Sequence, residues 1–485
     1  MGTSGIVLLG LGPGKSEWIT RQAWNILENC DELYLRTRRH PVIEDLPPRI
    51  HIYSLEELYE NGNDLEEVNE NIVARILDLG RRPQGVVYAV PGHPFVGESA
   101  CPEIARKAGE EGLPLRVVGG MSLLEPAITA LGLGPLPNLS IIDAVELANA
   151  HTLPFPPDAP TLVAHIDSPL IAAKIKPVLL SVYSGEHPVE LVHMALEPTE
   201  NVEKLTLEEV DQSRSISPLT LLYLPPLGPG TSFEAFQELI AHLRAPDGCP
   251  WDREQTHQSL RSSLLEETYE VLAVLDSNDP VGMREEFGDL LLQIVLHAQI
   301  ANEYGEFNMA EVLQGIHAKI VRRHPHVFGD LELRDAQGVL LNWERLKEQE
   351  RANNGKAEAS LLDGVALALP ALVQAEQYQK RAARVGFDWP DIQGVLDKLV
   401  EEMQEVHLAG DDKARRDEIG DLLFAVVNLA RWYKLDPESA LRQTNARFRR
   451  RFAYIETSAH AQGRSVVDMT LDEMEELWQE SKRQV

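Results

Sequence analysis

The sequence predicts a two-part protein, an α/β domain followed by an all-α half, on three observations. From Ile6 to about Pro226, short apolar or β-branched runs (Ile6 to Leu9, Gly85 to Val90, Leu115 to Val118, Thr161 to Ile166, Leu219 to Leu224) alternate with helix-like segments, which is the rhythm of an α/β domain. After Ser232 the apolar residues recur at three- and four-residue spacing with almost no strand-like alternation, the signature of helices. Within that second half, two stretches repeat one another, as tandem structural units do. A chain of 485 residues exceeds what one core organises, and its 44% apolar content suffices to fill several.

The elements follow in chain order. No basic stretch precedes Ile6, and the apolar run to Leu9 is too short for a signal-peptide core or a membrane span. Gly10-Leu-Gly12-Pro-Gly14 follows the first strand but matches neither standard nucleotide loop, since Lys15 and Leu9 stand where glycines are required. Leu153-Pro-Phe-Pro-Pro-Asp-Ala-Pro160 reads as a stiff connector between two lobes. Pro225-Pro-Leu-Gly-Pro-Gly-Thr231 ends the strand pattern, so the first domain is expected over 1–228. Helical units are expected over 229–352 and 361–485, with the polar segment Arg351 to Ser360 as a flexible linker.

Seventy-six acidic residues against 45 basic ones give a net charge of -31, which repels a nucleic-acid polymer or an anionic membrane. A phosphate ligand must therefore meet local cations. Three cysteines, Cys30, Cys101 and Cys249, form no Cys-x-x-Cys pair, and the expected location is the reducing cytoplasm.

The repeat is the most informative feature. Leu265-Glu266-Glu267-Thr-Tyr-Glu270 matches Val400-Glu401-Glu402-Met-Gln-Glu405, and Glu286-Phe-Gly-Asp289 matches Glu418-Ile-Gly-Asp421. Lys319-Ile-Val-Arg322-Arg323 then aligns with Arg447-Phe-Arg-Arg450-Arg451. On a helix, carboxylates three or four residues apart share one face, and Asp276-Ser-Asn-Asp-Pro280 reads as a turn that brings the two acidic faces together. Two carboxylates about 5 Å apart repel by roughly 1 kcal/mol in water and about 3 at an effective dielectric near 20. A hard cation removes that cost, and an all-oxygen set that leaves room for water and phosphate oxygens suits Mg²⁺. A solvated acidic face has no reason to recur with a second acidic pair that runs straight into the apolar stretch Leu290 to Leu296 and again into Leu422 to Val427.

With Gly248-Cys-Pro-Trp-Asp-Arg-Glu-Gln-Thr-His257, Arg322-Arg-His-Pro-His-Val-Phe328 and Arg384-Val-Gly-Phe-Asp-Trp389, these motifs make the stretch from about Phe233 to Trp478 resemble the MazG family of nucleoside triphosphate pyrophosphohydrolases. The resemblance implies an all-α fold that assembles as a homodimer and cleaves standard and altered nucleotides between the α and β phosphates. Carried over, it places Mg²⁺ (or Mn²⁺) on Glu267, Glu270, Glu286 and Asp289 and on Glu402, Glu405, Glu418 and Asp421. Glu266 and Glu401 complete the catalytic motif. It also ascribes hydrolysis mainly to the second repeat. Lys319, Arg322, Arg323, Arg447, Arg450 and Arg451 are candidates for triphosphate contacts, because an anion facing so acidic a protein needs donors close by. His324 and His326, flanking Pro325, read as structural.

Residues 5 to 226 resemble the tetrapyrrole methylase family, which is two-lobed and uses S-adenosylmethionine. The likeness rests on the glycines at 10, 12 and 14 with Thr20, on Tyr88-Ala-Val-Pro-Gly-His-Pro-Phe-Val-Gly-Glu98, on Val118-Gly-Gly-Met-Ser-Leu-Leu-Glu125, and on Ile141 to Glu146 and Thr220 to Pro225. It implies cofactor contacts at Pro91, Gly92, His93, Met121 and Ser122. His93 stands where many porphyrin-ring methylases carry aspartate, which separates cofactor binding from the tetrapyrrole substrate. Two alternatives accompany the pyrophosphohydrolase reading: a methyltransferase whose helical half oligomerises or senses nucleotides, and a helical half that docks a regulatory protein. Acidic motifs in both repeats favour hydrolysis.

Overall fold

The computed structural model describes residues 5–61, 65–134, 138–194, 201–217, 219–331, 335, 338–339, 342–343, 345–346, 350 and 360–484. They divide into two compact units, 1–249 and 250–485. The expected linker lies outside the described residues except for Ser360.

The first unit holds two five-stranded sheets. One contains β1 (Ile6–Gly10), β2 (Glu32–Leu35), β3 (His51–Ser54), β4 (Val86–Val90) and β5 (Leu115–Val118), ordered β3-β2-β4-β1-β5 and parallel throughout. Interior strand β1, between β4 and β5, is buried along its whole length, because both sheet faces are covered, and a strand in that position reads as a continuous apolar run. Ile6 and Leu8 face Ile72 and Ile76 of α2 (Leu65–Gly80) and Ile104 of α3 (Ala100–Glu111), while Val7 and Leu9 pack with Ala23 and Leu27 of α1 (Arg21–Leu27). Each such burial stabilises the fold by about 1.5–3 kcal/mol.

The second sheet comprises β6 (Ser140–Asp143), β7 (Thr161–Ala164), β8 (Pro188–His193), β9 (Val202–Thr206) and β10 (Thr220–Leu224), ordered β6-β7-β10-β8-β9. Only β6 and β7 pair in parallel. Helix α4 (Pro169–Leu180) covers it through Ala172, Ile175 and Leu179. The proline-rich 153–160 segment is packed rather than free: Phe155 is buried, and Asp158 accepts a 2.7 Å hydrogen bond from Ser232. Ser232 also caps α5 (Phe233–Arg244), which lies within this first unit, beyond the proline-glycine segment that ends the strands.

The second unit is helical. In its first repeat α6 (Arg261–Ser277) turns into α7 (Pro280–Glu303), and α8 (Met309–Arg323) follows. The turn works as its composition predicts: Asn278 takes the left-handed conformation at φ 53°, Asp279 caps Val281, and Pro280 opens the next helix. The second repeat has α9 (Ala371–Arg384), α10 (Ile392–Leu408), α11 (Asp412–Trp432), α12 (Pro437–Ala461) and α13 (Leu471–Gln484). Among the described residues no helix is long and apolar enough to cross a membrane. Large apolar side chains stay exposed on several of these helices, including Phe287 and Ile294 on α7, Val400 and Met403 on α10, and Ile419 and Leu423 on α11.

Candidate functional site

Each helical hairpin gathers carboxylates. Ligand atoms of Glu267 and Glu270 on α6 and Glu286 on α7 lie within 4.8 Å of one another, as do those of Glu402 and Glu405 on α10 and Glu418 on α11. Desolvation, followed by the charges of Asp289, Glu270, Glu286 and Glu266, raises the pKa of Glu267. Desolvation and then Glu405, Glu402 and Asp421 do the same to Glu418. Glu286 is raised too, by desolvation and by Glu270 and Asp289. Asp289 and Asp421 therefore belong electrostatically to the two clusters. Such mutual repulsion is relieved by a bound cation.

The two clusters are not equivalent. Glu402 is 4% exposed and its Oε2 has no hydrogen-bond partner, whereas Glu267 is half-buried and Glu270 exposed. A buried carboxylate oxygen without a partner is expensive unless a ligand completes it. An all-oxygen donor set containing such an atom fits a hard cation. The other oxygen of Glu402 takes Lys398 Nζ at 2.6 Å, and the same ammonium lies 3.1 Å from Glu401. In the first repeat the corresponding position is Ser263.

Beside the second cluster lies a cavity of about 610 Å³ whose lining includes Tyr378, Phe387, Trp389 and Phe424, with Lys398, Glu402 and Asp421 also contributing. The Arg431 guanidinium, 2.9 Å from Asp388 in the same wall, holds the Asp388 carboxyl below its ordinary range. An apolar pocket bordered by a few fixed polar groups and a carboxylate cluster can take a flat ring with a phosphate tail.

The basic candidates divide. Arg322 and Arg323 both pair with Glu350, at 2.6 Å each. Lys319 is exposed. Arg447 donates to Thr444 at 2.7 Å, and Arg447 and Arg450 line a second cavity of about 670 Å³ together with Arg442 and Arg449. Arg451 lies over the Trp478 ring. His324 ends α8 and donates from Nδ1 to the Ile320 carbonyl at 2.7 Å, while His326 sits in the short helix Pro325–Phe328. Sequence reasoning missed Lys398, Trp343 and Trp478. Lys398 had a signal, its place one turn before Glu402.

In the first unit the three glycine-bearing loops at the carboxyl ends of β1, β4 and β5 meet. Gly12 and Gly92 exchange backbone hydrogen bonds of 3.2 and 2.8 Å. A Cβ on Gly120 would stand 2.2 Å from the Gly92 carbonyl oxygen, and one on Gly119 would stand 2.9 Å from His93 Nε2. Pro91, Gly92, His93, Met121 and Ser122 therefore share one region, with Met121 40% exposed and Ser122 buried. Thr20, the cap of α1, donates to the Gly119 carbonyl at 3.2 Å. His40 braces the first loop. Its Nδ1 accepts from Val42 N, so Nε2 carries the proton and donates to the Gly12 carbonyl at 2.9 Å. Burial holds its pKa down, which keeps the ring neutral. In open α/β sheets ligands bind at these strand ends.

Fold and site together define an α/β domain with glycine-bearing loops gathered at its strand ends, joined to a helical unit that carries two carboxylate clusters. Residues 5–211 match the tetrapyrrole (corrin/porphyrin) methylases and residues 255–328 the MazG nucleotide pyrophosphohydrolase domain. A Bacillus subtilis protein called YabN is 39% identical over 98% of both chains. The nucleoside triphosphate pyrophosphohydrolase/pyrophosphatase MazG of Thermotoga maritima is 41% identical over 52% of this chain and 96% of its own. A uroporphyrin-III-C-methyltransferase structure from Thermus thermophilus covers 46% of this chain and 94% of its own at 24% identity, with a TM-score of 0.36. The chain belongs to the YabN-like MazG family, in which a tetrapyrrole methylase domain precedes MazG pyrophosphohydrolase repeats.

Proposed function

We propose that the protein hydrolyses nucleoside triphosphates to monophosphate and pyrophosphate with Mg²⁺, and that the second repeat carries the reaction. The observation that carries this reading is the buried Glu402, whose Oε2 has no hydrogen-bond partner and whose carboxylate lies with those of Glu405 and Glu418 in a group of oxygens within 4.8 Å of one another. Glu402, Glu405, Glu418 and Asp421 would hold the ion, which when bound lowers the pKa of water and neutralises charge on the leaving pyrophosphate. Water oxygen bonds to the α phosphorus as the bond to the bridging oxygen breaks. Glu401, 3.1 Å from Lys398, is the remaining carboxylate of the motif and the one we assign to accept the water's proton. The aromatic cavity wall takes the base, and Arg447, Arg450 and Arg451 take the phosphates. Named relatives in Thermotoga maritima and Escherichia coli are nucleoside triphosphate pyrophosphohydrolases, which supports the same chemistry. The test is a panel of standard and altered triphosphates with Mg²⁺. Pyrophosphate plus monophosphate is expected, and orthophosphate plus diphosphate as the sole products would overturn the mechanism.

For the first unit we infer binding of S-adenosylmethionine by the loops at 10–14, 91–93 and 119–122, supported by the methylase family match and the close approach of three glycine-bearing segments. Calorimetry of the full chain with S-adenosylhomocysteine should detect it, and no heat from a folded protein would reduce the unit to a scaffold. The exposed apolar residues of α7, α10 and α11 support a homodimer through the helical half, to be read by sedimentation. We place the protein in the cytoplasm, where its free cysteines stay reduced.

A further inference from the structure

The two repeats build the same arginine-on-tryptophan arrangement and then treat it differently. In the first, the Arg323 guanidinium carbon lies 5.5 Å from the Trp343 ring centre; in the second, Arg451 lies 5.7 Å from that of Trp478. Arg322 and Arg450 precede these arginines in matching positions. In the first repeat Glu350 closes the pair. Its Oε1 accepts from Arg322 Nε at 2.9 Å and Nη2 at 2.6 Å, and from Arg323 Nε at 3.3 Å, while its Oε2 accepts from Arg323 Nη2 at 2.6 Å. Seven residues beyond the tryptophan, the first repeat has Glu350 and the second has Val485. Among the described residues neither Arg450 nor Arg451 has a carboxylate partner, and Arg451 Nε is buried without an acceptor.

Two guanidinium forks converging on two oxygens make the geometry that grips a phosphate. A carboxylate on the same chain competes for that place at high effective concentration, so a singly charged anion gains nothing by replacing it. Only an anion that offers several charges and several oxygens at once can displace it. Arg323 and Glu350 are largely shielded, with side chains 14% and 20% exposed, so solvent and salt screen their attraction less than that of an exposed ion pair.

We propose that Glu350 stands in for a phosphate group, closing a polyphosphate-binding site made by Arg322, Arg323 and Trp343 in the first repeat and leaving the second repeat open. This rests on reading the repeated arginines as phosphate contacts. The closed pair makes the first repeat a site that responds only to a triphosphate or longer chain, and it accounts for a functional asymmetry that the matching acidic motifs do not.

Inorganic triphosphate in EDTA tests it without metal or hydrolysis. The full chain carrying Arg450→Glu and Arg451→Glu, which removes the second pair, is titrated calorimetrically with and without Glu350→Gln. Removing the internal anion should tighten binding at least tenfold, and adding Arg322→Met and Arg323→Met should abolish the gain. An affinity within twofold of the parent would make Glu350 a structural tie and overturn the proposal. Glu350→Ala serves as the second variant, because loss of order lowers the melting temperature but does not raise anion affinity. If no triphosphate is hydrolysed under any condition yet the gain appears, the closure stands and the enzymatic reading falls. Hydrolysis without the gain gives the reverse.

Discussion

Lys398 Nζ lies 2.6 Å from Glu402 Oε1, so the most buried carboxylate of the second cluster already carries a cation on one oxygen while the other has no partner. The pairing raises the Lys398 pKa, chiefly through the Glu402 hydrogen bond and then that of Glu401. The ammonium is therefore a fixed positive charge beside the proposed ion. Replacing it by methionine should strengthen Mg²⁺ binding in the absence of nucleotide, by about tenfold for a charge removed a few ångströms away in a half-exposed setting. Calorimetry with Mg²⁺ alone reads this, and weaker binding in the variant would show that Lys398 organises the cluster rather than opposing the ion.

Glu405→Gln removes one ligand charge with little change in volume. Turnover should fall at least a hundredfold while the helices stay folded, and the metal-free protein should melt no lower than wild type because repulsion with Glu418 is reduced. Glu270→Gln should cost less, since its cluster contains no deeply buried carboxylate. Steady-state hydrolysis and thermal melts in EDTA decide both points. Full activity of Glu405→Gln with loss in Glu270→Gln would reverse the ranking of the repeats.

Gly10→Ala tests the loop cradle of the first unit. The added carbon would stand 2.4 Å from Gly120 N and 2.5 Å from the Gly92 carbonyl oxygen, both backbone atoms that cannot swing aside. A cost of roughly 1–3 kcal/mol is expected from overpacking, together with loss of S-adenosylhomocysteine binding. Unfolding curves and calorimetry on the full chain measure the two separately. Unchanged binding would place the cofactor elsewhere.

Acid should open the first repeat's arginine pair. Hydrogen bonds from Arg323, offset by burial and joined by those from Arg322, hold Glu350 down to about 2, below the value of about 4.3 for an unpaired glutamate. The pairing contributes fully above that unfolded value and is lost as pH falls through it towards 2. The acid-side decline in melting temperature should therefore be shallower in Glu350→Gln, and identical profiles would mean the pair adds nothing to stability.

What the sequence determined by itself was whatever is local or repeated. The fully apolar run from Ile6 and the helical period after Ser232 announced the two fold classes, because residue spacing alone sets which face is buried. The Asp276 to Pro280 turn and both acidic motifs were legible for the same reason, and the repeat separated them from ordinary solvated faces. Strands such as β3 and β9 were not legible: His51 and Tyr53 are exposed, and Val202-Glu-Lys-Leu-Thr206 carries charge and has no fully buried residue, so no apolar pattern marks them. Tertiary structure alone decided that Glu402 is buried with an oxygen to spare, that Lys398 sits on its other oxygen, and that Glu350 closes Arg322 and Arg323 while Arg450 and Arg451 stay free of carboxylates among the described residues. Burial and charge pairing depend on what chain topology brings from elsewhere, and two repeats with the same acidic letters can therefore differ in which of them a ligand completes.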